Sequence, residues 1–209
     1  VDVNGNEMAK CTAHDWATSL EWVPNYHKND SKNSPVPRQT IAGAEEYYNL
    51  VRDMDKAEAQ ALTADSDLFK DTVGVEIPDD YTLIYHCAKN VPYFPSLAIC
   101  TAMMPLCQGQ VDAVGVEKLP GMENTQLWYN GPYILQEFIQ GNSKTFVRNE
   151  AYWDKDCTLF DTVTSLVVDD GLMGQQMFMN GEVDACTLSE SNLRSIYDNP
   201  SSEWYPYLV

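Results

Sequence analysis

The chain has 209 residues, with 13 Lys+Arg against 31 Asp+Glu and a formal net charge of −18. Nucleic-acid binders neutralise phosphates with clustered Lys and Arg, so this balance excludes a nucleic-acid partner and disfavours an anionic membrane surface. At 44% hydrophobic and 21% charged residues, the composition is that of a folded protein of one large domain or two small ones, with a sizeable core.

In chain order, Thr12-Ala13-His14-Asp15 comes first and sets a hydroxyl N-cap three residues before an acid, much like a capping box. Trp16, Leu20 and Val23 then recur near helical spacing until Pro24 ends the pattern. Asn25 to Pro37 has loop chemistry. A second helix is predicted from about Ile41 to Leu62, with Ala44, Tyr47, Tyr48, Val51 and Met54 facing inward and Glu45, Glu46, Arg52, Asp53 and Lys56 in water. Asp79-Asp80 signals a turn, and Tyr81 to Cys87 reads as a strand rich in β-branched and aromatic residues.

Val91 to Cys107 is expected to hold a short helix bracketed by prolines. The wider apolar stretch, Asn90 to Val116, is broken by Pro92, Pro95, Pro105, Gly109 and Asp112, so it cannot span a membrane as a helix. Tyr133 to Ile139 and Lys144 to Arg148 are predicted strands joined at Gly141-Asn142, and Thr162 to Val168 is a third. A helix over Gly171 to Asn180 is closed by Gly181. Glu182 to Leu188 reads as a strand, and Ser189 starts a last helix through Leu193, Ile196 and Tyr197. Strand and helix alternate here, which implies crossover connections and an α/β layer.

Chemical motifs are sparse. Nucleophile-elbow, dinucleotide, P-loop and His-Glu-x-x-His patterns are absent. His14, His27 and His86 never fall four apart, and Asp65, Asp67 and Asp71 lack the glycine and closing glutamate of a calcium loop. No metal and no cofactor is expected. Six cysteines, Cys11, Cys87, Cys100, Cys107, Cys157 and Cys186, sit at irregular spacings without a zinc-type pair. They read as small buried hydrophobes, with one bridge, Cys100 to Cys107, left open. Trp16, Tyr81, Tyr85 and Trp153 are expected in the core, and Met173, Met177, Phe178 and Met179 on a helix's packing face. Asn29-Asp30-Ser31 is a glycosylation sequon of the kind that arises by chance. The N-terminus lacks the basic and apolar regions of a signal peptide, and Trp204 to Val209 reads as the beginning of a strand. The chain is therefore expected to be an internal piece of a longer protein.

Several segments, in order, resemble the family 5 extracytoplasmic solute-binding proteins, the peptide-binding components of ABC importers. Cys11-Thr12-Ala13-His14-Asp15-Trp16 is similar to the family's Val-Thr-Ala-x-Asp-Phe helix start. Gly74-Val75 with Asp79-Asp80-Tyr81-Thr82-Leu83, then Val91-Pro92-Tyr93-Phe94 and Asn130-Gly131-Pro132-Tyr133, follow its pattern. Arg148-Asn149-Glu150-Ala151-Tyr152-Trp153-Asp154 and Phe178-Met179-Asn180-Gly181-Glu182-Val183-Asp184 complete it. Each string alone is weak, but six in the family's order cover nearly the whole chain.

The resemblance implies a mixed α/β fold, a partial lobe of the periplasmic-binding-protein type II kind with an extra α/β subdomain. Residues 1–107 would be that subdomain and 108–209 part of the main first lobe, with the second lobe absent. It implies a non-enzymatic receptor, periplasmic or a cell-surface lipoprotein of a bacterium, delivering a peptide or other small solute to ABC permease subunits. By the same resemblance, Cys100, Thr101 and Ala102 lie near one family contact, and Thr187, Leu188 and Ser189 form a ligand-contacting loop. Against this, Cys100 reads as core and Ser189 as an N-cap just as well. After Ser34-Pro35 the family commonly carries aromatics where this chain has Val36-Pro37-Arg38, which leaves peptide, nickel chelate and sugar open as cargo. The family's acidic anchor for a peptide's amino group falls on the second lobe, so this chain alone is expected to bind no peptide tightly. Exposed sheet edges are expected to favour pairing between chains. Two other readings are a cell-surface carboxylate-dependent glycan hydrolase and a surface interaction module without a small ligand.

Overall fold

The computed structural model describes residues 1–29, 32 and 34–209. The sequon's Asp30 and Ser31 lie outside the described residues, as does Asn33. The chain divides into two units, Val1–Ile134 with Arg148–Leu159, and Leu135–Val147 with Phe160–Val209.

In the first unit, α1 (Ala13–Trp22) begins at its expected cap. The Thr12 backbone N–H donates to Asp15 Oδ2 at 2.8 Å, so the acid folds back over the helix start. α2 (Pro35–Thr40) forms inside the expected loop, with Pro35 at its first position, where a missing N–H costs nothing. The long helix expected from Ile41 to Leu62 is two helices, α3 (Ala44–Arg52) and α4 (Lys56–Ala61). The break falls at Asp53-Met54-Asp55, because Asp55 turns its carboxylate to the N–H groups of Ala57 (2.9 Å) and Glu58 (3.4 Å) and starts a new helix.

α5 (Asp67–Thr72) and β1 (Val75–Asp79) follow, neither anticipated, and β1 pairs antiparallel with β2 (Thr82–Tyr85). The hairpin is tied to the helices through Ala42, whose N–H donates to His86 O (2.8 Å) and whose carbonyl accepts from Gly74 N (2.8 Å). α6 (Phe94–Leu97), a 3-10 turn (Thr101–Met103) and α7 (Gln108–Val114) complete the run.

The core of this unit is Ala17, Leu20, Ile41, Ala44, Tyr47, Val51, Ala59, Phe69, Val73 and Met103. Tyr47 and Phe69 meet edge to face with centroids 5.5 Å apart. At about 1.5–3 kcal/mol for each large side chain buried, this cluster dominates the unit's stability. Gly43 makes the close approach of α3 to α5 feasible. Its φ is +73°, and a Cβ there would lie 1.7 Å from Thr72 O.

A polar network runs through the same core. Glu21 Oε1 accepts from Tyr47 OH (2.7 Å) and Asn25 Nδ2 (2.8 Å), while its Oε2 pairs with Lys28 Nζ. Asn25 Nδ2 also donates to Ala59 O, and Lys28 Nζ to Leu62 O. Both charged side chains are almost fully buried, at 1% and 3% exposure.

The predicted hairpin is present, with Leu135–Val147 of it in the second unit. β3 (Tyr133–Ile139) and β4 (Ser143–Arg148) join at Gly141, whose φ is +71°. β5 (Thr162–Leu166) pairs antiparallel with β4 from Ser143↔Leu166 to Val147↔Thr162, giving the order β3-β4-β5. α8 (Gly171–Met179) ends at Gly181 in the left-handed conformation, as predicted, and α9 (Glu190–Tyr197) is capped by Ser189. Glu182 to Leu188 is irregular chain rather than a strand, so the expected crossover layer does not form.

Some burial expectations are corrected. Tyr81 and Trp153 are 77% and 84% exposed. Met173 and Met179 are also exposed, while Met177 and Phe178 are half-buried. All six cysteines are free thiols, and none is fully buried, so the Cys100–Cys107 bridge is not formed.

Candidate functional site

The residues assigned to ligand contact divide between the two units. In the first, Cys100 is the N-cap of the 3-10 turn and its half-buried side chain packs against the core cluster. Ala102 is buried at 4% exposure, and Thr101 is the exposed residue of the three. Here the core role of Cys100 is realised, and the exposed chemistry reduces to one hydroxyl.

In the second unit, Thr187 is exposed, Leu188 half-buried and Ser189 exposed. Ser189 Oγ accepts from Asn192 N at 3.3 Å, so its oxygen is engaged at the helix start as a cap. Between Val183 and Leu188, among the described residues, no backbone N–H or carbonyl is bonded to another backbone group. The flanking bonds, Glu182 N to Met177 O (2.8 Å) and Leu193 N to Ser189 O (2.9 Å), close α8 and open α9 on either side. Backbone groups carry strong hydrogen-bonding demand, so this run of open main chain offers donors and acceptors to an extended partner.

A cleft of about 710 Å³ in the first unit was not legible in the sequence. Tyr26, Tyr48, Lys56, Gln60 and Glu117 line it, and its polar groups largely satisfy one another. Lys56 Nζ meets Glu117 Oε1 at 3.2 Å, and Gln60 Nε2 donates to His27 O at 2.9 Å. Beside it, Arg38 forks onto both Glu45 oxygens at 2.8 Å and lies 3.5 Å above the Tyr48 ring.

Among the described residues, four carboxylates are held below their ordinary range. The Asn6 amide lowers Asp2, the Arg38 fork lowers Glu45, the Tyr81 N–H lowers Asp79, and Arg148 lowers Glu150. A general acid needs the opposite, a carboxyl held protonated near neutrality. Among the described residues, no three His, Cys, Asp or Glu side chains converge on a point that could hold a metal ion.

The fold is that of solved peptide receptors. The periplasmic oligopeptide-binding protein OppAIV of Borrelia burgdorferi superposes with a TM-score of 0.70 at 17% identity, over 95% of this chain and 36% of that one. The murein tripeptide-binding protein MppA of Escherichia coli superposes with a TM-score of 0.70 at 21% identity, over 95% and 35%. The class is therefore the mixed α/β fold of periplasmic solute receptors. Residues 4–208 match the family described as bacterial extracellular solute-binding proteins, family 5 Middle, and the chain belongs to that family.

Among curated relatives, the oligopeptide-binding protein AmiA of Streptococcus pneumoniae serotype 4 is 31% identical over 166 residues, 79% of this chain and 22% of AmiA. The dipeptide-binding protein DppE of Bacillus subtilis is 33% identical over 115 residues, 55% of this chain and 21% of DppE. The chain thus spans only about a fifth of the length of either relative.

Proposed function

We propose that this chain is the middle part of the substrate-binding component of an ABC importer, which captures peptides outside the cytoplasm and hands them to permease subunits without catalysis. The observation that carries the reading is the open main chain from Val183 to Leu188, in a chain whose family and relatives are solute- and peptide-binding. An extended peptide satisfies such groups as a strand would, whatever its side chains, which suits a receptor for varied sequences.

In this reading, residues 1–107 are the extra subdomain and 108–209 part of the main lobe. Thr101 and Thr187 offer hydroxyls to the ligand, Ser189 holds the loop in shape, and Cys100, Leu188 and Ala102 form the surface beneath. Exposed apolar side chains of the second unit, among them Phe138, Ile139, Val163, Leu166 and Leu172, fit a lobe completed by sequence outside this chain. The full-length receptor resides in the periplasm or, as a lipoprotein, on the cell surface.

The test is mass spectrometry of ligands that copurify with a full-length protein containing this chain, followed by calorimetry with the peptides found. Peptides bound at micromolar affinity or better are expected, with binding weakened by N-methylation of the peptide backbone. Copurification of a glycan that the protein cleaves would overturn the reading. Submicromolar peptide binding by the 209-residue chain alone would refute the need for a second lobe.

A further inference from the structure

A small cavity of about 190 Å³ in the first unit brings two of the free thiols to one place. Its walls are the N-terminal segment, the starts of α1 and α7, and the Trp128–Asn130 stretch, and both Cys11 and Cys107 line it. The walls are fixed by backbone bonds. Val1 and Tyr129 exchange main-chain bonds, each 2.7 Å long. Leu106 N–H donates to Asp15 O at 2.9 Å.

Asp15 is the geometric hinge of the pair. Its carboxylate reaches back to Thr12 N, next to Cys11, while its carbonyl holds Leu106, next to Cys107. Each cysteine is thus one residue from a backbone N–H that donates to Asp15, one to its carboxylate and one to its carbonyl. Cys11 Sγ accepts from Asn130 Nδ2 at 3.5 Å, and Cys107 Sγ lies beside Gly109 and the Trp128 ring. Neither thiol is sealed, since Cys11 is exposed and Cys107 half-exposed.

We propose that Cys11 and Cys107 are a site of oxidative modification, joined by an intramolecular disulfide when the chain meets an oxidising disulfide. In the step, the thiolate of one cysteine attacks a sulfur of the small-molecule disulfide, forming a mixed disulfide and releasing one thiol. The second cysteine then attacks the mixed disulfide, the protein S–S bond forms and the second small thiol leaves. Two protein thiols are oxidised, one external disulfide is reduced to two thiols, and the protons pass to those leaving groups.

The cross-link would fasten the start of α1 to the start of α7 across a long loop, and long loops gain most from closure. Burial pushes the Cys11 thiol up, Asn130 opposing it and the Asp15 carboxylate adding to the rise, so attack by Cys11 quickens as pH climbs. An exported chain carrying this pair would be stapled where it works, independently of how it binds a ligand.

The test treats the 209-residue chain with oxidised glutathione, blocks residual thiols with iodoacetamide, and maps the digest without reduction. A linked peptide pair containing Cys11 and Cys107 is expected, with alkylation of both falling roughly tenfold, while exposed Cys87 and Cys157 are recovered carrying glutathione or the alkyl group but no link. The thermal midpoint should rise by roughly 10 °C, and Cys11→Ser and Cys107→Ser should each abolish the rise. Full alkylation of both residues, glutathione retained on either, or linkage to another cysteine or a second chain would overturn the proposal. Peptide mapping alone decides these outcomes, so the result does not depend on either variant folding.

Discussion

Replacing Glu21, Lys28, Asn25 or Tyr47 singly should cost stability in an order set by how many partners each leaves stranded. Glu21→Ala strands most, because the Lys28 ammonium, one Asn25 N–H and the Tyr47 hydroxyl all converge on that carboxylate. A buried charge deprived of its counter-ion costs about 3–5 kcal/mol, and the orphaned Tyr47 hydroxyl adds about 1–3 kcal/mol. Lys28→Ala strands only the carboxylate, which keeps two donors, so its loss belongs at the lower end, about 3 kcal/mol. Tyr47→Phe removes one hydrogen bond to a charged acceptor, about 1.5–3 kcal/mol, and leaves the ring packed on Phe69. Urea unfolding followed by tryptophan fluorescence suits the measurement, since Trp22 ends α1 and lies 5.4 Å from the Lys28 ammonium. With a slope of about 2 kcal/mol/M, Glu21→Ala should lower the midpoint by about 2–4 M. The triple change Glu21→Leu, Lys28→Met, Tyr47→Phe should recover most of that loss, because it strands no charge. A Glu21→Ala variant within about 1 kcal/mol of the parent, or a triple variant worse than the single, would refute this account.

Three further outcomes follow from local geometry. Gly43→Ala should cost more than about 3 kcal/mol in the same assay, whereas Gly141→Ala, at a similar φ but with open space around it, should cost about 1 kcal/mol. Asp55→Ala should cost about 1 kcal/mol by uncapping α4, with Asp55→Asn restoring most of it. Burial pushes the Tyr85 phenol up to about 12, so the neutral form is the one the fold favours. Its contribution is complete below the ordinary phenol value near 10 and is lost as pH climbs from there towards 12. Alkaline unfolding tracked by phenolate absorbance should therefore begin above pH ~10 and be less steep in Tyr85→Phe. Unfolding curves that coincide for parent and variant would contradict it.

How much of this was legible in the sequence depended on whether a residue's role is fixed locally. Thr12 with Asp15, Gly141, Gly181 and Ser189 act within a few residues of themselves, and the structure has each where its chemistry put it. The single helix expected from Ile41 to Leu62 failed because its apolar spacing continues through Asp55. Only the competition between that side chain and the backbone reveals the stop. Tyr81 and Trp153 were misplaced since periodicity ranks faces, and says nothing of whether another element arrives to cover them.

Glu182 to Leu188 is the most instructive departure. Its residues suit a pleated surface, yet strand propensity expresses packing against neighbours rather than a preference of the isolated backbone. Neither β3, β4 nor β5 pairs with it, so the segment keeps the composition of a strand without the ladder. A segment with that composition and with open main-chain groups awaits a partner, and which partner it takes is not a property of its own sequence. This is also why Thr187 could be named from a resemblance but not from spacing. The side chain gives one hydroxyl, while the open donors and acceptors of this segment are peptide groups that every residue carries and no motif records.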